Sequence, residues 1–124
     1  MTANMVIEQR LAGAVMVLDL TGSLSSAEAQ KALRDTVRRI VLEGWHCVVL
    51  NLEQLTQLDS MGIGALVAAY GSIVHSGGRL ALVRLSPRAA SALTITRLLS
   101  VFEAFDSEAE AVQHLAAADG RACR

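Results

Sequence analysis

The stretch that decides the fold is "HCVVLNLEQLTQLDSMGIGALVAAYGSIVHSGGRLALVRL", His46–Leu85. It opens with a short β-branched run, Cys47–Leu52, apolar enough to be buried on both faces of a sheet. After "EQLTQL", read as a connection, Ile63, Leu66, Val67, Tyr70 and Val74 recur as one helical stripe. Gly77-Gly78 stops that helix, and Leu80–Leu85 reads as a second apolar strand. A strand–helix–strand unit makes its strands parallel through a right-handed crossover. The two runs are therefore expected side by side in the centre of a sheet.

Outward from this unit, "MVIEQR" and "AVMVLDL" read as a hairpin, Met5–Arg10 and Ala14–Leu20, with Gly13 in the turn. Ser25-x-x-Glu28 has the pattern of a capping box. Leu33, Val37, Ile40 and Val41 then give a helix its inner face, and Gly44 ends it as the C′ residue. Beyond the central unit, Ser86-Pro87 opens a helix with serine as N-cap and proline at N1. "VFEAF" is a short edge strand, and Ser107-x-x-Glu110 caps a last helix carried inward by Ala111 and Leu115. The order is β-β-α-β-α-β-α-β-α, an α/β domain on a mixed sheet.

Composition narrows the function. The 124 residues are 52% hydrophobic but only 3% aromatic, so the core is aliphatic. The net charge is −1, with no basic surplus to hold a phosphate backbone, so nucleic acid is not expected as a partner. The longest weakly polar run, Met61–Val74, is too short to span a bilayer, and "MTANMVIEQR" lacks the design of a signal peptide. A cytoplasmic protein with no membrane insertion is expected. Cys47 and Cys123, far apart in sequence, are expected as free thiols.

The usual chemical constellations are missing from the sequence. His46, His75 and His114 have no metal-ligand spacing around them, so neither a metal nor a cofactor is expected. Ser60 is not in a nucleophile elbow. Gly62-x-Gly64 starts a dinucleotide fingerprint that fails at Val67, and its glycines stand well beyond the end of the expected strand. Their expected role is close packing at a helix start. What remains is Asp59-Ser60. Either residue can cap the helix. Alternatively, Ser60 is a phosphate acceptor, since free N–H groups and the dipole favour added negative charge at a helix start while Asp59 opposes it.

The set "VVLNLEQLTQLDSMGIGALV", "GGRLALVRLSP" and "LLSVFEAFDSEAEAV" resembles the STAS domain family, found in sulfate transporters and anti-sigma-factor antagonists. The resemblance is greatest to the small stand-alone bacterial antagonists. It implies a single domain over 4–117 with a frayed tail at 118–124. It also implies a mixed sheet with helices mainly on one face. The family's phosphorylatable serine maps onto Ser60 and its preceding aspartate onto Asp59. Asp59, Ser60, Met61, Gly62 and Gly64 then form the partner-binding surface, and no residue is catalytic. Met61 departs from the pattern, since many members carry a small residue there.

The implied mechanism is partner switching. The unphosphorylated chain binds an anti-sigma factor that is also a serine kinase, phosphorylation at Ser60 ends the binding, and a metal-dependent phosphatase resets it. Two other readings compete: a non-catalytic STAS subunit docked on a transporter ATPase or signalling scaffold, and a small nucleotide-binding enzyme built around Gly62 and Gly64.

Overall fold

The computed structural model describes residues 5–97 and 102–118. Five strands form one sheet in chain order: β1 (Val6–Ala12), β2 (Val15–Leu24), β3 (Cys47–Leu58), β4 (Arg79–Val83) and β5 (Glu103–Phe105). β1 runs antiparallel to β2, and every later pair is parallel. Helix α1 (Ala27–Leu42) joins β2 to β3, α2 (Ser60–His75) joins β3 to β4, and α3 (Pro87–Ile95) precedes β5. A parallel sheet that grows in one direction through same-handed crossovers places all its connecting helices on one face. Buried residues of α1, α2 and α3 accordingly share a core with Leu18, Leu50 and Leu82. Helix α4 (Glu108–Ala118) follows the last strand and covers the other face, where Ala111 and Leu115 meet Val17, Val49 and Val83. β3 and β4 are thus covered on both sides, which is why they read as unbroken apolar runs.

The expected order and central pair hold, with local corrections; among them, β2 runs on to Leu24 and β4 ends at Val83, short of the expected Leu85. β3 does not stop at Leu52. It runs on to Leu58 because β2 is equally long and pairs with it up to Leu24–Leu58, through two irregularities in register. The cap of α1 is Ser26, one residue after the expected Ser25; its hydroxyl accepts from Ala29 N at 3.0 Å, while Ser25 turns to Ser23.

The buried face of α2 is Gly62, Ala65, Leu66, Ala69 and Ile73, and Val67 and Val74 are exposed. Small residues beside Leu66 and Ile73 let the helix approach closely, and Val67 and Val74 lie outside that seam.

Cys47 is fully buried and disulfide-bonded, which corrects the expected free thiol. It lies in the cluster beneath α4 together with Leu115. Cys123 and most of the expected tail lie outside the described residues; Ala118, expected in that tail, still belongs to α4.

Candidate partner-binding site at the start of α2

β3 delivers the chain directly to Asp59, and α2 begins one residue later. Asp59 has extended backbone angles, and its Oδ1 accepts from Met61 N at 3.1 Å and Gly62 N at 3.2 Å. Its carbonyl accepts from Ile63 N at 2.8 Å. Asp59 is therefore the N-cap, and its carboxylate also suits the positive end of the helix dipole. Ser60 is the first helical residue, exposed, and its hydroxyl makes no hydrogen bond with a described residue. Of the two residues read as possible caps, Asp59 takes the role, and the Ser60 hydroxyl is not used for it.

Gly62 sets where this helix start sits. A Cβ at that position would fall 2.0 Å from the Leu24 carbonyl oxygen and 2.8 Å from Leu58 Cδ1. Only a glycine lets α2 approach the end of β2 so closely. Gly64 is different: it is exposed, and a Cβ there would meet nothing within 4 Å, so the close packing expected of both glycines belongs to Gly62 alone. Met61 is 40% exposed. Of the five residues expected to face a partner, Asp59, Ser60, Met61 and Gly64 are on the surface, and buried Gly62 positions them.

A polar cluster that the sequence did not signal borders this surface. The Ser23 hydroxyl donates to Gln57 Oε1 at 2.9 Å and lies 2.5 Å from the Ser25 hydroxyl. Thr56 Oγ1 donates to the Gly22 carbonyl at 3.0 Å. These bonds tie the end of β2 to the end of β3, immediately before Asp59.

A charged cluster lies elsewhere, on the α4 side of the sheet. Arg10 donates to Asp19 at 2.6 and 3.0 Å and to Glu108 at 2.8 and 2.6 Å, and Asn51 donates to Asp19 at 2.8 Å. The Arg10 hydrogen bonds hold both carboxyl groups below their usual range, against an opposing contribution from partial burial. This network clamps the start of α4 to the sheet. A trace of it was visible in the sequence: Asp19 and Asn51 interrupt two apolar strands, and the register pairs them.

The sequence pattern of the STAS domain matches residues 6–111. The chain belongs to the STAS domain family. An anti-sigma F factor antagonist of Paenibacillus polymyxa is 25% identical over 112 residues, covering 90% of this chain and 96% of that protein. Among solved structures, an anti-sigma factor antagonist from Mycobacterium paratuberculosis superposes with a TM-score of 0.79 at 19% identity, covering 90% of this chain and 94% of the other. The phosphorylated form of SpoIIAA, a Bacillus cell-fate determinant, gives 0.68 at 21% identity, over 88% and 98%. These two structures share the fold of this chain. Among the described residues, no helix is long and apolar enough to cross a membrane.

Proposed function

We propose that this chain is an anti-sigma-factor antagonist that works by partner switching in the cytoplasm and catalyses no reaction itself. It binds an anti-sigma factor with serine kinase activity through the exposed start of α2. Phosphorylation of Ser60 ends that binding, and a metal-dependent phosphatase restores it. The observation that carries the reading is the exposed Ser60 hydroxyl, bonded to no described residue, beside a cap supplied by Asp59. The names of its relatives support the partner class.

The geometry indicates how a phosphate would act. The N–H groups of Met61 and Gly62 are already bound to Asp59. No Lys or Arg occurs in α2, and no described cation pairs with Asp59. A phosphate adding about −1.5 to −2 charges therefore finds repulsion from Asp59 and no ready-made cradle. It stays at the surface, where a partner would have to desolvate it.

The test is a calorimetric titration of wild type, Ser60→Ala and Ser60→Asp against the candidate anti-sigma kinase, with and without ATP, followed by mass spectrometry. Wild type should bind, gain one phosphate at Ser60 with ATP and dissociate. Ser60→Ala should bind and remain bound. Ser60→Asp should bind roughly tenfold or more weakly, a partial effect because aspartate carries less charge than phosphate. Equal binding by all three, with no release by ATP, would sink the switch and leave a docking subunit of a larger machine.

A further inference from the structure

A second surface lies away from Ser60, on the outer side of the α1–α2 pair. It is a groove of about 320 Å³. Buried Val37 and Ala69 form its floor, and Val41, Leu42 and Ala68 form its apolar walls. Leu42 is 80% exposed, more than any other large hydrophobic side chain among the described residues.

The rim is charged with one sign. Arg34 and Arg38 line the α1 side, and neither makes an ion pair with a described residue. The neighbouring carboxylates of α1 are occupied: Asp35 lies 2.8 Å from Lys31, and Glu43 lies 3.7 Å from Arg39. The α2 wall offers no acidic residue, since Ser60–His75 contains none and ends in His75, which also lines the groove. Two guanidinium groups, close enough to Asp35 to help hold its carboxyl below the usual range but in ion-pair contact with no described residue, thus border an apolar floor with no carboxylate answering them from α2.

We propose that this groove docks an acidic amphipathic helix of a partner protein. Three features of the groove match such an occupant. Its length follows two packed helices, the shape that accepts a third laid along them. Its floor suits apolar side chains recurring at i, i+3 and i+4. Arg34 and Arg38 are one turn apart, about 6 Å along the axis. That spacing matches two carboxylates one turn apart on the incoming helix, in the geometry that favours guanidinium–carboxylate pairing. The proposal stands apart from the Ser60 switch, because it depends on none of the residues at the start of α2.

The experiment uses the full isotope-labelled chain and a synthetic peptide of about 18 residues, long enough to hold a helix. The peptide carries leucine at i, i+3 and i+4 and glutamate on its flanks; a control carries lysine in place of glutamate. The glutamate peptide should move the amide signals of Arg34, Val41, Ala68 and Ser72. Its affinity should fall roughly tenfold or more in Arg34→Glu/Arg38→Glu, in Leu42→Ser, and in wild type at about 0.5 M salt. All three substituted residues are exposed, so these variants should keep the wild-type melting temperature. Equal binding of the lysine peptide, signals moving elsewhere, or no binding would overturn the proposal. So would a dimer of the chain in sedimentation that Arg34→Glu/Arg38→Glu dissolves, since that would make a second copy the occupant.

Discussion

The starts of α2 and α3 use the same kinds of residue in opposite ways. At α3, Ser86 is the cap itself. It is only 6% exposed, its hydroxyl accepts from Ala89 N at 3.1 Å, and its own N–H donates to the Leu52 carbonyl at 3.2 Å. At α2 the cap is Asp59, and the serine is moved one residue into the helix, out to solvent and out of every hydrogen bond with a described residue. Helices α1 and α4 follow α3: the Ser26 hydroxyl accepts from Ala29 N at 3.0 Å and the Ser107 hydroxyl from Glu110 N at 3.1 Å. Three helix starts therefore spend a serine on structure, and one leaves it available. A hydroxyl at a helix start is structural or free according to which residue takes the cap. That is decided by one position in the chain.

The largest effect should come from disturbing what places the α2 start. Gly62→Ala puts a methyl group 2.0 Å from the Leu24 carbonyl oxygen, a backbone atom that cannot swing aside. Overpacking of this kind costs about 1–3 kcal/mol, and a rigid backbone contact belongs at the upper end. Chemical denaturation should show that loss. Gly64→Ala, with open space around its Cβ, should show none, or a small gain from lower chain entropy.

Next come the caps themselves. Ser86→Ala removes a buried acceptor and leaves the Ala89 N–H without its partner, so about 1–2 kcal/mol should be lost. Asp59→Ala frees two N–H groups, of which that of Met61 is exposed and readily solvated while that of Gly62 is partly buried. About 0.5–1 kcal/mol is expected there. The difference between the two, read from urea midpoints, measures how much burial adds to a cap. If Asp59→Ala costs more than Ser86→Ala, the contrast between the two helix starts is reversed.

The start of α4 sharpens the comparison through pH. Glu108, in its first turn, is held by Arg10, whereas Asp59 faces no described cation. The folded-state values of Asp19 and Glu108 lie below their ordinary 3.8 and 4.5. Groups lowered in the folded state contribute stability above their unfolded values and lose it as pH falls through the folded ones. Stability should therefore decline below about pH 4.5, by roughly 1 kcal/mol for partly exposed pairs. Arg10→Leu should flatten that part of the profile. An unchanged slope would show that the clamp contributes nothing.

Much of this was legible in the sequence, for reasons that differ by element. The β3–α2–β4 unit was readable because both strands are buried on both faces and a helical period separates them. Ser86-Pro87 and Ser107 were readable because a cap is a local pattern. The extent of β3 was not, since residues 53–58 are mostly polar and are held in the strand by pairing with β2. The inner face of α2 was misjudged because hydrophobic size marked Val67 and Val74, while docking selected Gly62, Ala65 and Ala69. Ser60 itself was legible as a position at a helix start. Its freedom was not, because only the geometry assigns the cap to Asp59.

The smallest expected effect is the most informative about the site. Ser60→Ala removes one hydroxyl that bonds to no described residue and replaces an exposed first-turn residue by alanine, the best helix former. The cap, its two N–H bonds and the Gly62 contact are all left in place. Stability should change by less than about 0.5 kcal/mol, the range of ordinary surface substitutions. The melting temperature should match that of wild type, while Ser86→Ala, the same chemical change at α3, should lower it measurably. A loss at Ser60 as large as that at Ser86 would mean that the hydroxyl supports α2 after all, and binding defects of Ser60 variants could then be structural. With the stability unchanged, any difference in partner release by ATP belongs to the hydroxyl's chemistry alone.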